Sequence, residues 1–190
     1  MIESVGAILT SVGLGVGAGV NAYATFLVFG LISRFYPGVF SGTLADFFAS
    51  TPVLIVLGIL YLIEFVADKI PAVDHAWDVI HTFVRPLAGA VVAFAAATPE
   101  LPQGVAILAG VLGGSAALGS HVIKSSVRAT STVTTGGTAN PVLSVAEDVF
   151  AIVQSILAVF LPYVFLAALI LFLAIMSIWF MRASRRSALP

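Results

Sequence analysis

The chain is dominated by long apolar segments, separated by short clusters of polar residues, Pro and Gly. Six of these segments are long enough to cross the hydrocarbon layer of a membrane, which takes about 20 residues of helix. They are Val5–Ser33, Pro52–Asp68, Asp78–Ala97, Gly104–Lys124, Pro141–Leu161 and Pro162–Met181. The pattern therefore predicts an all-α, polytopic transmembrane helical bundle of about six spans, with residues 1–190 forming a single integral membrane domain.

Composition excludes several classes of protein. Hydrophobic residues make up 60% of the chain and charged residues 9%, whereas a soluble domain has about 45–50% and about 25%, so a water-soluble enzyme is excluded. Nine acidic residues nearly balance eight Lys and Arg, which leaves no electrostatic footprint for nucleic acid. Because the chain has no Cys, a metal ion would need His, carboxylate or backbone oxygen ligands.

The basic residues predict an orientation. With six spans both termini share one side, and a cytoplasmic location for them leaves only Arg34 of the eight Lys and Arg outside. That distribution satisfies the positive-inside rule. We therefore expect a multi-pass protein of the cell inner (plasma) membrane with both termini cytoplasmic. The two longest connections, Arg34–Thr51 and Ser125–Asn140, are expected to be loops, the second a solvated Ser/Thr/Gly tract.

Two pairs of segments resemble each other. Gly13–Asn21 has a counterpart in Gly113–His121, and Pro52–Leu54 has one in Pro141–Leu143. Such pairs favour two three-span halves, which an odd number of spans would invert relative to each other. Chance similarity between apolar segments explains the same pairs, so the inverted three-plus-three repeat stays one of two interpretations.

The few charged residues are concentrated at one end of the predicted spans. Six of the nine acids and all three histidines lie there, so we expect a polar cluster around a wet pocket that opens toward the cytoplasm. Glu64 lies about 18 Å from the start of its span, well inside the hydrocarbon. A charge at that depth costs about 2.5–3.5 kcal/mol, so Glu64 should be paired, protonated or facing water inside the bundle.

The charge balance of this cluster indicates a function. Six acids against four Lys and Arg favour cations or protons over anions, and histidines among carboxylates titrate near neutral pH. We interpret the protein as a small membrane transporter or channel for a cation or a proton-coupled solute. The predicted ion or proton site comprises Glu64, Asp68, Asp78, His81, Arg85, His121, Lys124, Glu147 and Asp148. Asn21 and Gln154 are expected to line the path at mid-depth.

Two other functions stay open. A lipid-head-group enzyme at the inner leaflet would hold a divalent metal cation with Asp78, His81 and Glu147, although no catalytic motif is present and no catalytic residue can be assigned. A structural or accessory subunit would use the charges only to pair helices. No other cofactor is implied. The expected partners are the lipid bilayer and a small ion or solute, and small-residue helix faces leave a homo-oligomer open.

One stretch of the chain is specific enough to suggest a family. It runs from Glu64 to Gly89 and reads EFVADKIPAVDHAWDVIHTFVRPLAG. Together with the glycine run before Asn21 and the segment Asn140–Asp148, it resembles an uncharacterised bacterial membrane family, the domain of unknown function, family 4126. The resemblance covers nearly the whole chain. It implies an integral membrane protein and brings no substrate or catalytic residues with it.

Overall fold

The computed structural model describes residues 2–97 and 101–187, apart from the side chains of residues 2–3, 71–72, 74–75, 179–180 and 182–187. Within these ranges every regular element is an α-helix, which confirms the all-α prediction. The helices are α1 (Ile2–Val20), α2 (Ala22–Phe35), α3 (Thr43–Ala49), α4 (Thr51–Ala67), α5 (Pro71–Ala97), α6 (Gln103–Thr135), α7 (Asn140–Phe160) and α8 (Pro162–Ser187).

Fewer helices than predicted are long enough to span a membrane. Among the described residues, α5 over Ala76–Ala97, α6 and α7 are long and apolar enough. The pair α3 and α4, bent by 64°, is a fourth candidate. The apolar parts of α1, α2 and α8 are shorter. The structure thus supports a membrane protein with three candidate spans, or four with the bent pair, and six crossings are not confirmed.

The first predicted span, Val5–Ser33, is wrong, because the chain reverses direction at Asn21. A continuous helix would separate residues eight positions apart by about 12 Å along its axis. Instead, Gly17 on α1 faces Thr25 on α2 so closely that a Cβ on the glycine would lie 2.8 Å from the threonine Oγ1. Helices α1 and α2 therefore form a hairpin, which we call the α1–α2 hairpin, with its tip at Asn21.

The reversal changes where the chain begins relative to the charged residues. Ala7 and Ile8 of α1 pack with Ala97 and Leu101, where α5 ends and α6 is about to begin. The rise of a helix puts these first turns about 20 Å from Asn21, which lies among the charged groups. The prediction that both termini lie on the side of the charged cluster is therefore wrong for the start of α1. The C-terminal residues 188–190 lie outside the described ranges.

Helices α1, α5 and α6 pack closely through glycine and alanine, and we call these three helices the frame. A Cβ on Gly15 would collide with the backbone of Gly113, and one on Gly89 would lie 2.8 Å from the carbonyl oxygen of Gly113. A Cβ on Gly19 would meet the backbone of Ala117. Small residues allow helix backbones to approach this closely. The glycine run before Asn21 is therefore a helix-packing face.

The directions of the frame helices bear on the predicted repeat. Gly15 lies beside Gly113, and the Val20 carbonyl lies beside Lys124, so α1 and α6 run in the same direction. Matching segments of an inverted repeat run in opposite directions. The inverted repeat is not confirmed.

Helices α2, α3 and α4 form a second body, which we call the α2–α4 unit. In its aromatic core, Phe26 stacks on Phe48 with ring centroids 4.7 Å apart and Phe29 contacts Phe40 at the same distance. This core continues into Leu14 of α1 in one buried apolar cluster, so the unit packs on the frame mainly through α2. In contrast, α4 makes sparse contact with α5 and α7. Apolar packing therefore holds α2 to the frame and contributes little to the attachment of α4.

Both predicted loops contain helix. The connection 34–51 includes α3, and α6 continues through the Ser/Thr tract to Thr135. Hydroxyls in this tract donate to carbonyls one turn earlier, as Ser126 does to Val122 at 2.7 Å and Thr130 does to Ser126 at 2.9 Å. Because the helix itself satisfies these hydroxyls, a polar composition did not require a solvated loop here.

Candidate functional site

The tip of the α1–α2 hairpin is fixed by one asparagine. Asn21 has an extended backbone, with φ −146° and ψ 107°, and its Oδ1 accepts a hydrogen bond from the N–H of Ala24 at 2.8 Å. Asn suits this N-cap position because its side chain satisfies an amide that the helix leaves free. Its Nδ2 donates to Oδ1 of Asp148 at 2.8 Å. The tip is therefore tied to α7.

The last carbonyls of α1 accept hydrogen bonds from two buried cations. Arg85 Nη1 donates to the Gly19 carbonyl at 3.3 Å, and Lys124 Nζ donates to the Val20 carbonyl at 3.0 Å. The carbonyls at a helix C-terminus lack helical partners and carry partial negative charge. The C-terminal end of α1 thus binds one cationic side chain of α5 and one of α6.

Glu64 is fully buried, and the described residues provide a hydrogen-bond partner for only one of its two carboxylate oxygens. It is 0% exposed, and its Oε1 accepts from Arg85 Nη2 at 2.7 Å. His81 Nδ1 lies 3.8 Å from the same oxygen, which is too far for a hydrogen bond. Glu64 Oε2 and His81 Nδ1 have no hydrogen-bond partner. This carboxylate and imidazole therefore have capacity left for a proton or another ligand.

His121 is bound in its neutral form. Its Nδ1 lies 2.7 Å from Arg85 Nη1, and a guanidinium is only a donor, so Nδ1 must accept. The ring proton then lies on Nε2, which is 3.1 Å from Thr82 Oγ1, and that hydroxyl donates to the Asp78 carbonyl at 2.9 Å. We assign this tautomer from the hydrogen bonds. His121 therefore positions Arg85 and is not itself a proton carrier in this conformation.

Four side chains form a compact set of ion pairs that we call the charge network: Asp68, Lys124, Arg128 and Glu147. Arg128 bonds both carboxylate oxygens of Glu147 through Nε and Nη2 and reaches Asp68 Oδ2 at 2.9 Å. Lys124 Nζ lies 3.1 Å from Asp68 Oδ2 and 3.5 Å from Glu147 Oε2. Two positive charges thus balance two negative ones, with the two-pronged geometry that strengthens Arg–carboxylate pairs.

The electrostatics of Asp68 agree with this pairing. Burial alone raises the pKa of its carboxyl, but Lys124 and Arg128 outweigh burial, so the pKa lies below its ordinary value. Neighbouring Lys69 has its pKa lowered, chiefly because burial disfavours the charged ammonium. Its Nζ donates to the Phe65 carbonyl at 2.7 Å and lies over the Phe65 ring.

These ion pairs join the two bodies of the molecule. Glu64 and Asp68 lie on or directly after α4, whereas their cations come from α5 and α6 of the frame. Apolar contact between α4 and the frame is sparse. The α2–α4 unit is therefore attached to the frame at this end mainly by charge.

The predicted site residues lie at one end of the bundle, as expected. Most of their ionised groups contact one another directly, whereas Asp148 contacts Asn21. Two prominent grooves, of about 510 and 670 Å³, are apolar and open to the outside; one is lined by Ile59, Leu62 and Val66 and the other by Val142 and Val149. Neither groove is the expected wet pocket, because aliphatic side chains form most of the walls of both.

Other predicted residues divide between the site and its surroundings. Asp78 is 14% exposed and lies 3.8 Å from Arg85. Gln154 connects α7 to α1, since its Nε2 donates to the Gly13 carbonyl at 2.7 Å, and its Oε1 has no partner. Two further acidic-end residues considered from sequence, Asp74 and His75, have side chains outside the described ranges.

The structure does not bring Asp78, His81 and Glu147 together in the way that the predicted divalent-metal site requires. Asp78 faces Arg85, whereas Glu147 is held by Arg128 in the charge network. Among the residues that the structure describes, no group of three His, Asp or Glu could hold a metal ion. The physical reason is that each of these carboxylates already has a cationic partner.

Three features were not assigned to the site from sequence. Arg128 was counted among the four basic residues of the charged cluster but was left out of the predicted ion or proton site, although it lies one helical turn after Lys124. The carbonyls of Gly19 and Val20 also contribute, because the helix ends at Asn21, and sequence periodicity did not reveal that end. Ser144, one turn before Asp148, was not assigned to the site.

Fold and site together define an all-α bundle with helices that are long and apolar enough to cross a membrane, in which a helical hairpin ends at a buried network of charges. The family model "Domain of unknown function (DUF4126)" matches residues 8–182, so the chain belongs to this family, as the resemblance indicated. No curated protein and no solved structure matches the chain.

Proposed function

We propose that the protein is a small membrane transporter for a cation or a proton-coupled solute. The observation that carries the proposal is the attachment of α4 to the frame by buried ion pairs, with a chain reversal beside them. Ionisable groups inside a membrane protein are costly and are commonly retained for ion or proton movement. Discontinuous helices whose ends lie inside the bundle are typical of transporter binding sites.

Glu64 and His81 are the proposed proton site. A proton on Glu64 cancels the charge that attracts Arg85, and this pair is one of the few attachments of α4 to the frame. His81, 3.8 Å from the Glu64 oxygen, is placed to exchange that proton after a small movement. Arg85 and Lys124 supply the opposing charge that sets how strongly the site holds a cation. Proton or cation binding would thereby loosen the α2–α4 unit.

The charged end is proposed to face the cytoplasm. Lys69, Arg85, Lys124 and Arg128 lie at that end, and Arg34 lies at the opposite one, which follows the positive-inside rule. In this arrangement α4, α5, α6 and α7 cross the inner membrane, and the α1–α2 hairpin enters from the outer side. If α1 and α2 are also counted as full crossings, they and α4, α5, α6 and α7 together give six.

A structural or accessory subunit is the second candidate, and the compact charge network favours it. Fixing the positions of the helices would be a sufficient role for a network of matched ion pairs. The two functions differ in what Glu64 does. In the structural subunit, its charge matters only for stability.

Ion flux through reconstituted liposomes tests the proposal. We expect the wild-type chain to move protons or a cation down an imposed gradient, and Glu64→Gln and His81→Gln to lose at least about tenfold of that flux. Asp46→Asn is the control, because Asp46 lies in α3 with an exposed side chain. Wild-type flux equal to that of protein-free liposomes, or equal to that of a folded Glu64→Gln variant, would contradict the proposal.

A further inference from the structure

Among the side chains that the structure describes, the charged end of the bundle has one more carboxylate than it has Lys and Arg. Five carboxylates of described side chains lie there, against four Lys and Arg: Glu64, Asp68, Asp78, Glu147 and Asp148 against Lys69, Arg85, Lys124 and Arg128. His121 is neutral by its hydrogen bonds, and His81 donates to no carboxylate. Asp148 is the carboxylate for which the described residues provide no Lys, Arg or His nitrogen within ion-pair distance.

Asp148 presents a free oxygen inside the bundle. The residue is 3% exposed, and its Oδ1 accepts from Asn21 Nδ2, whereas Oδ2 has no hydrogen-bond partner. A buried charge without a partner is strongly unfavourable. The Oδ2 side therefore calls for either a proton or a positively charged ligand.

Ser144 supplies a second oxygen on the same face of α7. It precedes Asp148 by one helical turn, which puts the two side chains on that face. Ser144 is 0% exposed, and the described residues provide no partner for its Oγ. Ser126 differs, because its hydroxyl donates to the carbonyl four residues earlier. The Ser144 hydroxyl is thus buried and unused, which a purely structural serine in a helix avoids.

We propose that Asp148 Oδ2 and Ser144 Oγ bind a monovalent metal cation of the Na⁺ class at the tip of the α1–α2 hairpin. One carboxylate matches one positive charge and corrects the imbalance of the charged end. Carboxylate and hydroxyl oxygens are ligands that hard cations prefer. The inference deepens the proposed function, since it names the ion and separates its site from the Glu64–His81 pair.

A third oxygen without a partner among the described residues lies on the same face of α7, nearer the start of the helix. Asn140 lies one turn before Ser144, is 0% exposed, and its Oδ1 has no partner. The three oxygens therefore follow one another at steps of about 6 Å from the start of α7 to the hairpin tip. A cation leaving Asp148 would have the next oxygen within one step.

Thermal unfolding of the purified full chain in detergent tests the site without any transport. Na⁺ should raise the unfolding temperature of the wild type in NaCl relative to choline chloride at equal ionic strength, because a ligand stabilises the state that binds it. Asp148→Asn should abolish the Na⁺-dependent shift. Ser144→Ala should raise the Na⁺ concentration for half the shift about tenfold, the effect of losing one good ligand. Ser126→Ala is the matched control and should leave the shift unchanged.

The outcomes separate this inference from the proposed function. Absence of a shift with Na⁺, Li⁺ or K⁺ overturns the cation site, as does an equal shift in Ser144→Ala and wild type. The Ser144→Ala result holds even where Asp148→Asn fails to fold. Na⁺-dependent stabilisation in a protein that shows no flux in liposomes supports the site and counts against the transporter. Flux without any cation-dependent stabilisation does the opposite.

Discussion

The forces that hold the frame together differ from those that attach α4 to it. Within the frame, backbones approach so closely at Gly15 and Gly113 that a single methyl group has no room. Between the frame and α4, attachment depends on Glu64 and Asp68 reaching cations of α5 and α6. Close steric fit does not respond to protons or ions, whereas ion pairs do. The comparison indicates that the frame is fixed and that the attachment of α4 responds to charge.

The largest expected effect is on the attachment between the two bodies. Arg128→Gln leaves the buried carboxylates of Asp68 and Glu147 without their main partner, which should lower the free energy of unfolding by about 3–5 kcal/mol. Arg34→Gln is the control, because Arg34 is exposed at the other end and its loss should cost less than about 1 kcal/mol. Denaturant unfolding in detergent measures both. Similar losses in the two variants would show that the charge network does not hold the unit.

A smaller loss of stability should follow from disturbing the frame. Gly113→Ala places a methyl group against Ala93 and 2.8 Å from the Gly89 carbonyl, and overpacking of this kind costs about 1–3 kcal/mol. Gly119→Ala on the same helix has open space, so the better helix propensity of Ala should stabilise the protein by up to about 1 kcal/mol. The two substitutions should therefore change the free energy of unfolding in opposite directions. Equal effects would mean that close contact does not define the frame.

Much of the fold was readable from the sequence, because helix length and apolar composition are local properties. Five of the six predicted spans correspond to one helix each, with α5 starting earlier and α6 ending later than expected. The reversal at Asn21 was not predictable in this way. Its flanking residues are apolar and small, and the asparagine acts as a cap only because Asp148, distant in sequence, holds its amide.

The candidate site was predictable in membership and not in arrangement. Helical spacing brought Lys124 into the site, and charge concentration identified one end of the bundle. Whether two charges bind each other or line a pocket depends on how helix axes approach, which spacing along one helix does not encode. Thus Glu147 and Asp78 were grouped as metal ligands, although each lies against a different arginine.

The smallest predicted effect is the pH dependence of the attachment through Asp68. Its pKa is lower in the folded protein than its ordinary value of 3.8, so the ion pairs contribute stability above that value and lose it as the pH falls below. The difference in unfolding temperature between wild type and Asp68→Asn should therefore be constant near neutral pH and shrink in acid. A difference that grows as the pH falls would contradict the direction of the shift.

The central claim is that the charge of Glu64 holds α4 against a fixed frame, and distances between spin labels test this claim most directly. Because the chain has no Cys, Ile59→Cys with Val111→Cys labels α4 and α6 cleanly, and Val91→Cys with Val111→Cys labels the frame alone. All three positions are exposed. We expect Glu64→Gln to broaden the α4–α6 distance distribution or add a second distance, and to leave the α5–α6 distribution unchanged. An α4–α6 distance that is identical with and without the Glu64 charge would contradict the account.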